Sequence, residues 1–583
     1  MPTINKLNPN TLFRSSWAFS CLLLINFSHS LHAADVVSHL PDTTLGYAVV
    51  RDIAATDQKV ARLISLFHPD LPSPLNLARS ITGLSQGIDY QGDALFAYLA
   101  NNSEPALPVP LALLPVADYE ILASAIGGDA SGEICRVSIA EVELLIAQLG
   151  NFALVMNVEH REVMQQILAR QTEVAPNTFT EWIARNNVSF VLTRLGFAQI
   201  MKHGWFVGTT DNSPLADDPF GALAVTDQGA LQNSWPLMEF VRKYFREAGV
   251  GLAVDNANNV RIRWKGDFLN QRKAVEESGN GSQQRLKGFA AEPYAIAGAG
   301  DMPHDAGAFL AELMTNLSIQ DAPHQGRSEF TPQDWAAERK SWDLTLADVQ
   351  SVSVLVVPPT EGEPLLSTFF ARLTVDDSQK YLAALAQSYE IANELTLRSK
   401  SEIKMIYNVH PTKIGDVEGV AITSDLDKAT GDQNVDVWQA LLTACLGAEH
   451  NLTIYCAPVD DQHVFIGLQS TEKLLKFIDG FQKGNSGLES DASVQKSLAL
   501  LSTEGAYIQL VNPQGLVELG SSWMKTLLVL GMVPQLPLYP TAPPLALAVS
   551  SDQNGWQAEV GLPAESVQAL AEFVSEVGKV FGQ

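Results

Sequence analysis

Cysteine is scarce. Four occur in 583 residues, at Cys21, Cys135, Cys445 and Cys456, which excludes a disulfide-built scaffold. Metal-ligand spacings are missing as well. The 11 histidines include neither H-E-x-x-H nor H-x-H. Cys445, His450 and Cys456 lie near one another, but no fourth ligand falls at zinc-finger spacing. Positive charge is in short supply, with 38 Lys and Arg against 65 Asp and Glu, a net −27. That field repels a phosphate backbone, so nucleic acid is excluded as a main partner. Long apolar runs are absent. The best internal candidate, Trp523 to Val533, is interrupted by Lys525 and falls short of the roughly 20 residues a bilayer demands. No cofactor, metal or membrane span is expected from these absences.

What is present begins with an address. Residues 1–33 carry Lys6 and Arg14 and no acid, followed by an apolar stretch from Trp17 to Phe27 and small residues at Ala33 and Ala34. Basic start, short apolar run and small residues before a polar segment read as a secretory signal peptide. Cleavage after Ala33 or Ala34 is expected. Export through it predicts a periplasmic or extracellular protein, with Cys135, Cys445 and Cys456 retained.

Hydrophobic residues make up 46% of the chain, enough for sizeable cores. At about 150 residues per domain the length predicts two large domains or three to four small ones. Composition breaks at Glu276–Pro293 favour two lobes, 34–275 and 294–583, joined by a linker over 276–293. Strand-like runs alternate with amphipathic helices. Val60, Leu63, Ile64 and Phe67 form one helical stripe, and Val567, Leu570, Val574, Val577 and Phe581 another. Neighbouring strands often lack an intervening helix, as in Leu452–Cys456 and Val464–Leu468. The expected fold is therefore α+β: two lobes with antiparallel or mixed sheets flanked by amphipathic helices. One junction recurs, an apolar strand followed by an acid or small polar residue and a helix. Its copies at Thr374, Leu468 and Leu562 are 94 residues apart, the spacing of a repeated strand–helix unit.

Three motifs are weighed and set aside. Gly83-Leu84-Ser85-Gln86-Gly87 fits the G-x-S-x-G pattern, but a helix precedes it and the strand follows it, inverting the context a nucleophilic serine needs. Gly298-Ala299-Gly300 stands between a strand and a helix like a dinucleotide loop. Pro303 takes the third glycine's place, so a plain glycine turn is expected. Asp425, Asp427, Asp432, Asn434 and Asp436 suggest a calcium loop, but the sixth and twelfth positions hold Val437 and Thr443, leaving a solvated acidic loop.

Leu40-Pro41-Asp42-Thr43-Thr44-Leu45-Gly46-Tyr47, Thr82-Gly83-Leu84 with Gly87-Ile88-Asp89, and Trp182 to Ser189 resemble a family of large exported proteins of unknown function typical of planctomycete-type bacteria. The resemblance implies a bacterial, exported protein and carries over no functional residue.

Two constellations remain. Cys445 and Cys456 are the candidate disulfide, with Cys135 then the buried free thiol. Residues 242–287 hold ten basic and five acidic residues in an acidic chain. Within them, Val250, Leu252 and Val254 alternate along one strand and Val260, Ile262 and Trp264 along its return. This puts Arg261, Arg263 and Lys265 on one face, opposite only Gly251 and Ala253. That ridge is either a solvated face, a dock for the protein's own acidic lobe, or a site for an anionic polymer or headgroup. The functional classes left open are a non-enzymatic binding or structural protein of the cell envelope, an envelope hydrolase whose site is assembled from distant residues, and a carrier of an apolar ligand. The first fits the missing catalytic motifs.

Overall fold

A computed structural model describes residues 33–583 except 83–85, 102–107, 140–141, 171–178, 204–242, 271–285, 290–292, 303–305, 323–324, 361, 402–403, 426–441, 485–486, 502–504, 530–535, 552 and 582–583. Residues 1–32, all but the last residue of the expected signal peptide, and Ser85 therefore lie outside the described residues. The fold is α+β, and every strand ladder within the two units is antiparallel. The chain divides into two compact units, residues 1–270 and 271–583.

In the first unit β1 (Thr44–Val50) is central. On one side follow β2 (Ala94–Leu99), β3 (Val109–Pro115), β6 (Phe152–Asn157), β5 (Val142–Leu149) and β4 (Cys135–Ile139). On the other come β7 (Val188–Thr193), β8 (Phe245–Val254) and β9 (Val260–Phe268). One face packs Val50, Ala94, Phe96 and Leu114 against α3 (Pro74–Thr82) and α4 (Tyr119–Ala125). The opposite face packs Val49, Leu95, Leu113 and Leu154 against Val36 and Val37 of α1 (Ala33–Ser38), Met164 and Ile167 of α5 (Arg161–Leu168) and Ile183 of α6 (Thr180–Ile183). Alternation along each strand thus feeds two apolar layers from one sheet, and both layers are dry.

Caps set the helix starts. Asp118 accepts from the Ile121 amide at 2.9 Å to open α4, and Asp52 from Ala55 at 3.2 Å to open α2 (Ile53–Phe67). The α2 stripe is less buried than its periodicity suggests. Ile53 and Thr56 are buried, whereas Phe67 is 37% exposed, because the far end of the helix runs clear of the core. Helix α7 (Arg194–His203) starts where Gly196 touches the backbone of the central strand. A Cβ there would lie 2.0 Å from the Leu45 carbonyl oxygen, so the position excludes any side chain.

In the second unit β10 (Ile296–Asp301) is central. One side continues through β11 (Val349–Val356), β12 (Phe369–Val375), β16 (His463–Leu468), β15 (Asn451–Pro458), β14 (Val417–Asp425) and β13 (Asn408–Ile414). The other holds β17 (Tyr507–Val511), β18 (Leu545–Ser551) and β19 (Gly555–Leu562). One face is covered by α10 (Ser378–Arg398), whose Tyr381, Leu382 and Leu385 meet Leu373, Val375 and Cys456. The other is covered by α11 (Thr471–Lys483) and α12 (Ala492–Leu498), whose Phe477, Ile478 and Val494 meet Phe370, Phe465 and Ile508. The hairpin of α8 (Ala306–Gln320) and α9 (Pro332–Leu346) links β10 to β11.

Four expectations are set against the structure here. Gly298 and Gly300 form no turn: they lie inside β10. A Cβ on Gly298 would meet the Tyr507 hydroxyl at 2.6 Å and one on Gly300 the Ala506 carbonyl at 2.5 Å, so glycine is required by close strand packing. Leu286 and Phe289, inside the stretch read as a linker, are fully buried in the second unit's core. In α14 (Ala564–Phe581) Val567 and Ala571 are buried, while Leu570 and Val574 are 40% and 50% exposed. The junctions at Thr374, Leu468 and Leu562 do each precede a helix, but their strands occupy unrelated places in the sheet order.

Candidate functional site

The basic ridge is built into its own unit. The hairpin pairs as read, with Arg261 opposite Ala253, Arg263 opposite Gly251 and Lys265 opposite Gly249, around a turn held by Asp255. The small residues of β8 make room for residues 179–186. The Asn186 amide sits over Gly251 and the Phe179 ring over Gly249. Asn186 is fixed by its bonds to the Trp182 carbonyl and the Ser189 hydroxyl. Arg263 is 7% exposed and donates to the Arg185 carbonyl at 2.6 Å and to Asn186 Oδ1 at 3.3 Å, satisfying acceptors just past the C-terminus of α6. Lys265 lies 3.4 Å from Asp267 and 4.7 Å from the Phe179 ring centre. Hence the middle cation, Arg263, is covered, while Arg261 and Lys265 beside it are half-buried, as are Ile262 and Trp264 on the other face. Alternation identifies two faces of a hairpin but not which of them another segment covers.

Cys445 and Cys456 are both free thiols, as is Cys135. Cys456 is fully buried among Leu373, Tyr381 and Val464, and burial pushes its thiol up to about 12. His450 Nε2 pairs with the Thr443 hydroxyl at 2.7 Å. No cluster of three or more metal-ligating groups occurs among the described residues. Asp427, Asp432, Asn434 and Asp436 lie outside them.

The site that sequence reasoning missed is on β12. Phe370, Arg372 and Thr374 alternate onto the face that packs against α11. Phe370 joins Phe477 in the apolar layer, with ring centres 5.6 Å apart. Two residues on, the face turns polar. Arg372 pairs across the sheet with Ser353 on β11 and donates to its hydroxyl at 3.3 Å. Thr374 and Ser351 bond at 2.6 Å. The guanidinium lies over the Phe481 ring at the end of α11, which stops at Gly484 in the left-handed region.

These residues line an open basin of about 570 Å³, together with Lys287, Gly288, Gly300 and Asp301. Arg372 is its half-buried cation, with the Nε end of the guanidinium covered. Desolvation holds its guanidinium below the usual arginine value, and the nearby Asp460 carboxylate only partly restores it. Asp460 itself is desolvated, yet is held below the ordinary carboxylate range by the amides of Gln462 and His463 and by the His463 ring, 2.8 Å away. The Arg372 Nε–H is buried and has no hydrogen-bond partner among the described residues. A fork of donors with one free member, backed by an aromatic ring and flanked by hydroxyls, matches a planar or tetrahedral oxyanion.

No protein family, curated protein or solved structure matches this chain. No helix among the described residues is long and apolar enough to cross a membrane.

Proposed function

We propose that this chain is an exported, soluble, non-enzymatic binding protein of a bacterial cell envelope, and that its ligand carries a small anionic group, carboxylate or phosphoryl, held at Arg372. The observation that carries the reading is the half-buried Arg372, whose covered Nε–H has no hydrogen-bond partner among the described residues, on the wall of the basin. A guanidinium in such a place costs several kcal/mol of desolvation, and leaving a donor unmade adds about 1–3 kcal/mol. An anion from solution offsets both. Lys287, exposed at the rim, adds a second positive charge that draws anions against the field of an acidic chain. Asp301, also in the lining, disfavours highly charged polyanions. The export half rests on the basic start, apolar stretch and small residues of 1–34.

The test is a titration of the full mature chain with inorganic phosphate and, separately, acetate. Arginine Nε–H resonances are followed by NMR, and the Arg372 signal is assigned by its loss in Arg372→Leu. A saturable shift of that signal with either probe supports the reading and tells which oxyanion it prefers. No shift with either one overturns it. N-terminal sequencing of the envelope fraction tests export, and an intact Met1 there refutes it.

A further inference from the structure

The two units share one strand order. Counting outward from the central strand, β1-β2-β3-β6-β5-β4 in the first matches β10-β11-β12-β16-β15-β14 in the second, and β1-β7-β8-β9 matches β10-β17-β18-β19. Only β13 is extra, added beyond the last matching strand. The helices agree. A helical pair links the first two strands (α2 and α3; α8 and α9), and an aspartate-capped helix follows the third (Asp118 and α4; Asp377 and α10). The stretch before β7 or β17 supplies the covering helices of one face (α5 and α6; α11 and α12).

Two details are too specific for a shared style of packing. The helix after β7 and α13 (Pro513–Val529) after β17 each begin at a glycine pressed against the entry of the central strand. Gly196 would set a Cβ 2.0 Å from Leu45 O, and Gly515 2.0 Å from Tyr294 O. The strand pairing beside each glycine agrees as well, with the paired position four residues before the glycine in both units.

These glycines fix the register. Gly46 pairs with Leu192, four residues before Gly196, and Ile296 pairs with Val511, four before Gly515. Three residues along each central strand stand Val49 and Ala299, and the cross-strand rows follow. The first unit reads Val49–Leu95–Leu113–Leu154, and the second Ala299–Ser353–Arg372–Phe465. In the first row all four residues are fully buried against α5. Leu95 and Leu113 fill the positions that Ser353 and Arg372 occupy. At the end of that face the first unit does place a cation, Arg51. Its Nε–H also has no hydrogen-bond partner among the described residues, but it already has a carboxylate beside it, Asp93 at 3.7 Å, and its Nη1 donates to the Ala184 carbonyl.

We infer that the two units are copies of one fold and that the anion site belongs to the second copy alone, so each chain binds one anion. In the first copy leucines close the basin and Asp93 neutralises the cation. The inference rests on the reading of Arg372 as the anion anchor, and the experiment separates the two. Radiolabelled inorganic phosphate is dialysed to equilibrium against the full mature chain and three variants, each first checked for cooperative unfolding. Wild type and Arg51→Gln are expected to saturate at one phosphate per chain. Arg372→Leu is expected to lose the site, and Arg372→Lys, which keeps charge without the fork, to bind about tenfold more weakly. Saturation at two per chain, a site that survives Arg372→Leu, or loss of binding in Arg51→Gln overturns the single-copy assignment. Absence of saturable binding to wild type overturns the Arg372 reading itself.

Discussion

The guanidinium carbon of Arg372 lies 4.2 Å from the centre of the Phe481 ring, on a sheet face that is otherwise an apolar layer. A charged group in that position is dispensable to the fold, because the first unit carries the 1%-exposed Leu113 at the matching register. Arg372→Leu is therefore expected to keep the thermal midpoint or raise it, because leucine removes a partly desolvated charge and an unmade donor. Calorimetric unfolding measures it. A loss beyond about 3 kcal/mol would mean that Arg372 serves the fold rather than a ligand.

Gly196 and Gly515 are expected to behave alike. Alanine at either forces the central-strand carbonyl aside, at a cost of about 1–3 kcal/mol or more. Gly578, with nothing within 4 Å, is the control, and alanine there should stabilise α14 by about 0.5–1 kcal/mol. Urea unfolding of the three variants reads the difference, and equal effects at all three would contradict the close contacts.

Two residues of the ridge should separate on mutation. Arg263→Gln leaves the Arg185 carbonyl and Asn186 Oδ1 unsatisfied and is expected to cost about 1–3 kcal/mol. Arg261→Gln removes a covered Nε–H that, like that of Arg372, has no partner among the described residues, and should be neutral or stabilise by up to about 1–3 kcal/mol. Denaturant midpoints decide. A neutral Arg263→Gln would show that the 179–186 segment does not need its cation.

Acid should expose the capping box of α9. Asp334 accepts from the Thr331 amide and hydroxyl and from Arg398 at 2.7 Å, and these bonds hold its carboxyl below the ordinary range. A depressed folded-state value adds stability that is full above the unfolded carboxylate value, about 3.9, and is lost as pH falls through the folded one. Wild type and Asp334→Asn should therefore differ in unfolding midpoint near neutrality and converge in strong acid. A gap that persists at low pH would place the effect elsewhere.

Local chemistry was legible from residues alone. Asp118 and Asp377 announce helix starts, alternation on both sides of Asp255–Asn259 gives the hairpin and its register, and adjacent strands without helices give antiparallel pairing. Each of these is decided within a few residues, by caps, turns and side-chain period. The matching order of the two units was not legible, because a shared topology survives when almost every side chain has changed volume. Nor was Arg372, which in Phe369-Phe370-Ala371-Arg372-Leu373-Thr374-Val375 reads as one charge in a strand. Its burial depends on Phe481, its hydrogen bond on Ser353 and its solvation on Asp460, all brought to it by other strands and loops. The same holds for the ridge: sequence sets the two faces of a hairpin, and only the segment that crosses one of them decides which cations meet water.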